Sequence, residues 1–136
     1  MDLNQITLPA LDVAASVAFF RGMGFIQIVN SPYYARFECP AGDATFSIHA
    51  VDDVPEHSGV VVYFECEQLD EQVRALEAKG YVFLKQPANE RWLWREARLN
   101  DPSGNVLCLY RAGENRKNPP WRMPAAGSAS VQEARE

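Results

Sequence analysis

The chain has 136 residues, of which 47% are hydrophobic and 23% charged. That is one domain of ordinary globular composition, large enough to fold without disulfides or metal. The net charge is −5 and Lys and Arg form no cluster, which argues against a nucleic-acid partner. Three cysteines, Cys39, Cys66 and Cys108, have no C-x-x-C spacing and suit reduced thiols in a cytoplasmic protein. No signal-peptide pattern opens the sequence, and no apolar run nears the ~20 residues that span a membrane.

Residues 3–8 alternate apolar and polar side chains and predict a short strand. Asp12 stands where a helix N-cap belongs. Val13, Val17 and Phe20 follow at helical spacing, and Gly22 to Gly24 stop the helix. Strands are expected over 25–29, 33–38 and 44–50, the last two joined by the Pro40-Ala41-Gly42-Asp43 turn. After an acidic linker, 51–59, the plan recurs. A β-branched strand covers 60–65, and Asp70 is the expected cap of a helix marked by Leu69, Val73 and Leu76 and stopped by Gly80. Strands follow at 81–84, 92–99 and 106–110, with Asp101-Pro102-Ser103-Gly104 between the last two.

Gly24-Phe25 and Gly80-Tyr81 lie 56 residues apart (80 − 24), as do Gln5 and Val61 (61 − 5). A fixed offset with matched element order marks an internal repeat. The expected fold is α+β: two tandem β-α-β-β-β modules, 3–50 and 60–110, forming a curved mixed sheet with a cleft, in one domain over 1–110. Residues 111–136 read as an extended C-terminal arm and tail, in which Pro119-Pro120 holds Trp121 for docking on the body or on a second copy.

Asp12 with Ser16-Val17-Ala18-Phe19-Phe20, Met23-Gly24-Phe25, Gly80-Tyr81 and Asp101-Pro102-Ser103-Gly104-Asn105, in that order, resemble the vicinal oxygen chelate superfamily. That group includes glyoxalase I, bleomycin and fosfomycin resistance proteins and extradiol dioxygenases. The resemblance covers about residues 3 to 110 and implies the fold more than an activity. It also implies four metal-ligand positions, which fall here at Gln5, Ser47 (with His49 on the same face), Val61 and Cys108. Valine cannot ligate a metal and a serine hydroxyl does so poorly, so no metal and no other cofactor is expected. A divalent ion would have to rely on Gln5, His49 and Cys108 meeting in one cavity. Homodimers are common in that superfamily, and a homodimer is expected here.

The expected ligand site combines Gln5, His49, Tyr63, Trp92, Trp94, Arg95 and Cys108. His49 offers a base or a hydrogen bond. Trp92 and Trp94, two apart and flanked by arginines, suit a flat, weakly anionic compound through stacking and forked hydrogen bonds. Each has a plainer reading: a satisfied histidine, core or interface tryptophans, and a cavity-lining thiol rather than a nucleophile. Glu65 is either an inward acid–base group or an exposed strand-end carboxylate. The leading function is metal-free small-molecule binding, with sequestration as the outcome. The alternative is a metal-dependent lyase, isomerase or dioxygenase.

Overall fold

The computed structural model describes residues 1–124. Asp12 caps the first helix as its position predicts: its Oδ1 accepts from the Ala15 N–H at 3.0 Å. This helix, α1 (Val13–Gly22), lies between β1 (Gln5–Ala10) and β2 (Ile26–Ser31), and β3 (Tyr34–Glu38) and β4 (Thr45–Ala50) complete the module. The second module runs β5 (Val61–Glu65), α2 (Leu69–Ala78), β6 (Lys85–Asn89), β7 (Arg95–Asn100) and β8 (Val106–Arg111), then a 3-10 turn at Gly113–Arg116. Each module forms a four-stranded sheet of the same order, β1-β4-β3-β2 and β5-β8-β7-β6. The fold is the expected tandem β-α-β-β-β arrangement.

The repeat extends to the helix ends. Phe25 N–H donates to Phe20 O and Gly24 N–H to Arg21 O, at 3.2 and 3.0 Å. Tyr81 N–H to Leu76 O and Gly80 N–H to Glu77 O repeat the pair 56 residues on, at 3.1 and 3.0 Å. These are Schellman closures. Both need a left-handed residue after the cap, which Gly24 (φ +105°) and Gly80 (φ +98°) supply. The offset then grows, to 59 between β2 and β6 (85 − 26) and 61 between β4 and β8 (106 − 45).

That growth displaces two of the predicted strands. Residues 81–84 form no strand; β6 starts at Lys85. Val82 and Leu84 are 76% and 68% exposed, so their apolar character does not mark a buried strand. Residues 92–94 belong to the loop before β7, closed by Leu93 N–H to Glu90 O and Glu90 N–H to Trp94 O, with Leu93 at φ +69°. Pro87 fits within β6 because that strand is an edge and carries a bulge between Lys85 and Ala88. β1 begins at Gln5 and runs to Ala10, two residues beyond the predicted 3–8. Asp70 is not the cap of α2; Gln68 precedes the helix, and Asp70 lies in its first turn.

By contacts the chain divides into Met1–Val62 with Asn100–Leu107, and Tyr63–Leu99 with the residues from Cys108 onward. In the first unit, one face of the β1–β4 sheet holds Leu8, Ala10, Ala35, Phe37, Phe46 and Ile48, all buried. Phe20 of α1 meets Phe46 edge-on, with ring centroids 5.0 Å apart. The Asp101 turn belongs to this unit. The Ser103 hydroxyl accepts from Leu11 N–H at 2.9 Å, and Asn105 Nδ2 donates to Pro9 O at 3.0 Å. In the second unit Leu69, Val73 and Leu76 of α2 and Ala97, Leu99 and Leu109 of the sheet are buried. Among the described residues no helix is long and apolar enough to cross a membrane.

Candidate functional site

Strand alternation puts Gln5, Thr7, Tyr34, Arg36, Thr45, Ser47 and His49 on the face of the first sheet opposite α1. Register makes them neighbours: Gln5 faces Thr45 and Thr7 faces Ser47 across β1 and β4, while Arg36 faces Ser47 and Tyr34 faces His49 across β3 and β4. Ser47, fully buried, is the hub. Gln5 Nε2 donates to its Oγ at 2.9 Å, and the Thr7 hydroxyl lies 2.7 Å from it. The Thr45 hydroxyl donates to Gln5 Oε1. Arg36 Nε donates to the Tyr34 phenol oxygen at 2.9 Å. A hydrogen bond with Ser47, and the Arg36 guanidinium after it, hold the Tyr34 phenol below its ordinary range against the opposing effect of burial.

The corresponding face of the second sheet is different. Tyr63, Trp94 and Tyr110 form an aromatic cluster, with Trp94 stacked on Tyr110 at 4.7 Å and Tyr63 edge-on to both. Next to it Glu96 is 1% exposed. Its Oε2 accepts from Trp92 Nε1 at 2.6 Å, and its Oε1 lies 3.6 Å from Arg98 Nη2. Burial first, and the Glu96 carboxylate second, push the Cys108 thiol up to about 12. It is neutral at physiological pH, which removes the thiolate a nucleophile or metal ligand needs.

The residues expected from sequence do not form one group. Gln5 lies in the hydroxyl cluster, and Tyr63, Trp94 and Cys108 lie on the helix-free face of the second sheet. His49 is exposed and four positions from Gln5's partner along β4, about 13 Å at ~3.3 Å per residue, so these two do not converge. Arg95 points the other way. It forks onto Asp70 of α2, with Nε–Oδ1 2.8 Å and Nη2–Oδ2 2.9 Å, and reaches Asn89 through Nη1. Its donors are engaged on the helix side of the sheet. Neither indole N–H is unpaired, since Trp94 Nε1 donates to Asn115 O at 3.2 Å. Glu65 receives the Ala112 and Gly113 amides on Oε2 at 3.0 and 2.8 Å, a structural role at the start of the 3-10 turn. Sequence reasoning missed Thr7, Arg36, Thr45 and Glu96. Alternation of buried Ala35 and Phe37 with Tyr34 and Arg36 was the available signal for two of that face's residues.

A family model described as Glyoxalase/Bleomycin resistance protein/Dioxygenase superfamily matches residues 2–109. The chain belongs to that superfamily. A bleomycin-binding protein complexed with bleomycin shares its fold at TM-score 0.67 and 20% identity, over 82% of this chain and 98% of the other. A bleomycin resistance determinant encoded on the transposon Tn5 gives the same four figures. Lactoylglutathione lyase from Agrobacterium tumefaciens matches at TM-score 0.66 and 19% identity, over 81% and 92%. No curated protein sequence matches the chain.

The side chains at the ligand positions that the resemblance implies do not fit an ion. The Gln5 amide is held by Ser47 and Thr45, the Ser47 hydroxyl by Gln5 and Thr7, Val61 has no donor atom, and Cys108 is a neutral thiol. Among the described residues no group of three or more His, Cys, Asp or Glu is arranged to hold a metal.

Proposed function

We propose that the protein binds a small molecule without a metal and holds it by hydrogen bonds and aromatic contact rather than by chelation. The observation that carries this reading is Ser47. At a superfamily ligand position stands a fully buried hydroxyl, cross-linked to Gln5 and Thr7. A preformed polar network backed by a packed apolar layer is the usual build of a small-molecule site, in which a few fixed polar groups set orientation. Within the second unit, taken by itself, the aromatic faces of Tyr63, Trp94 and Tyr110 offer a stacking surface for a flat compound. The fold shared with a protein complexed with bleomycin supports binding without turnover, that is, sequestration. Free thiols at Cys39, Cys66 and Cys108 support a reducing, cytoplasmic setting.

Two measurements test this together. Elemental analysis of the purified protein should return no stoichiometric transition metal. A thermal-shift screen of small molecules should return ligands that raise the melting temperature, since a ligand that prefers the native state stabilises it. One ion per chain with substrate turnover that a chelator abolishes would overturn the reading in favour of a metal-dependent lyase, isomerase or dioxygenase.

A further inference from the structure

Donor and acceptor accounting on the first sheet leaves a surplus of donors. The phenol oxygen of Tyr34 accepts from Arg36 Nε at 2.9 Å. Ser47 Oγ accepts from Gln5 Nε2, and Thr7 adds a second hydroxyl to it. A serine hydroxyl has one hydrogen and two lone pairs. Either hydroxyl can donate in the Thr7–Ser47 pair, so Ser47 is satisfied within the Gln5–Thr7 cluster. Tyr34 accepts in its bond with Arg36, so its own O–H hydrogen is not used there and can donate to a ligand.

Arg36 adds two more donors. Its Nε is engaged by Tyr34, and among the described residues neither Nη1 nor Nη2 has a protein acceptor, nor does any carboxylate form an ion pair with the guanidinium. Glu38, next on the same face, is exposed and unpaired with it. The half-buried guanidinium, its Cζ 5.4 Å from the Tyr34 ring centroid, thus has an aromatic face and a phenol oxygen as partners but no counter-charge, in a chain of net charge −5. By contrast Arg95 is neutralised by a forked contact to Asp70. His49 stands across from Tyr34 in the register and borders the same spot.

We propose that Arg36 and Tyr34 form an oxyanion-binding site, which takes a carboxylate, phosphate or phosphonate group of the ligand on the two Arg36 terminal nitrogens and the Tyr34 hydroxyl. The planar fork of arginine matches two oxygens of such a group, and Tyr34 fixes the fork by holding Nε. This assigns the ligand class for the small-molecule site proposed above and rests on that reading. The negative charge expected of the ligand is received by Arg36 rather than by Arg95.

Phenylphosphonate and neutral benzamide, titrated separately and followed by amide and Arg Nε–H NMR, provide the test. Phenylphosphonate should shift the Arg36 Nε–H and the β3–β4 amides, and bind more tightly than benzamide. Arg36→Gln should weaken it by about tenfold and Tyr34→Phe by about threefold, the loss of a charge-assisted and of a single hydrogen bond. Arg74→Gln, an exposed change on α2, should leave it unaltered. Equal phenylphosphonate binding in Arg36→Gln and Tyr34→Phe variants that keep native amide dispersion overturns the site. Benzamide binding as well as phenylphosphonate overturns the anionic class and leaves small-molecule binding standing. If neither probe binds, the oxyanion site is overturned, while ligands found by the thermal-shift screen still decide the broader reading.

Discussion

Trp92 and Cys108 are the residues whose chemistry is most constrained by Glu96. The Trp92 indole N–H donates to that buried carboxylate at 2.6 Å, the shortest contact it makes among the described residues. Trp92→Phe keeps the ring and removes the donor, so it should cost about 2 kcal/mol, the usual penalty for stranding a buried acceptor. Urea denaturation of the variant checks this, and an unchanged midpoint would mean that water or Arg98 replaces the donor without loss. Cys108 makes a prediction about pH. Burial pushes its pKa up to about 12, above the ordinary thiol value of 9.0. The native state therefore keeps a proton that the unfolded state releases, and its contribution to stability is full below pH 9 and declines from there towards pH 12. Cys66 and Tyr110 are raised too, so the slope is shared. Cys108→Ala should flatten the alkaline decline relative to the parent; parallel stability curves across that window would refute the assignment. At this scale the sequence was informative where register alone decides. Gln5 and Ser47 share one face of the first sheet and hydrogen-bond to each other, and Cys108 lies on β8. Arg36 was overlooked because it is a single charged residue between Ala35 and Phe37, and Glu96 because it sits between Arg95 and Arg98 as in an ordinary solvated charge run; only cross-strand partners reveal what each meets.

The two helices end alike although their sequences share little. At α1 the residues around the stop are Gly22-Met23-Gly24-Phe25 and at α2 they are Ala78-Lys79-Gly80-Tyr81. A Cβ at Gly24 or Gly80 would meet no atom within 4 Å, so crowding is not the constraint. The positive φ is. Gly24→Ala and Gly80→Ala should each cost about 1 kcal/mol through left-handed backbone strain, and by similar amounts, since the closures are equivalent. Chemical denaturation of the pair measures this, and a loss at only one site would argue that the closures are not equivalent in energy. Helices were legible because glycine stops and 3.6-residue spacing are local. The strands of the second module were less so. A run such as Tyr81-Val82-Phe83-Leu84 satisfies strand composition but is the exit from a helix, and Pro87 in β6 is tolerated only because that strand is an edge. Edge position is a property of the sheet and is written nowhere in the segment itself.

At the scale of the molecule, the exposed apolar residues bear on assembly. Ile26 and Ile28 are 46% and 47% exposed on β2, the edge of the first sheet, which leaves one side of its backbone unpaired. An apolar edge strand is a standing invitation to pair with another chain unless it is covered. Trp121, half-buried after Pro119-Pro120, adds a bulky ring held by a stiff segment. The tail of the expected arm, 125–136, lies outside the described residues. A two-fold homodimer covers such surfaces with the smallest number of distinct contacts, because each apolar patch is used twice. Light scattering should therefore return twice the chain mass at micromolar concentration. Cutting after Gly113 would also delete the Asn115 carbonyl that receives Trp94, so a cleaner truncation ends at Asn118 and retains the 3-10 turn. That truncated chain should dissociate at higher concentration than the parent while keeping its melting transition in the monomeric range. Ile28→Lys, which charges the edge without touching the arm, separates the two surfaces: if it alone yields monomers, the edge strand is the seam. A parent protein that scatters as a monomer throughout would remove assembly from the account and leave both apolar surfaces to solvent.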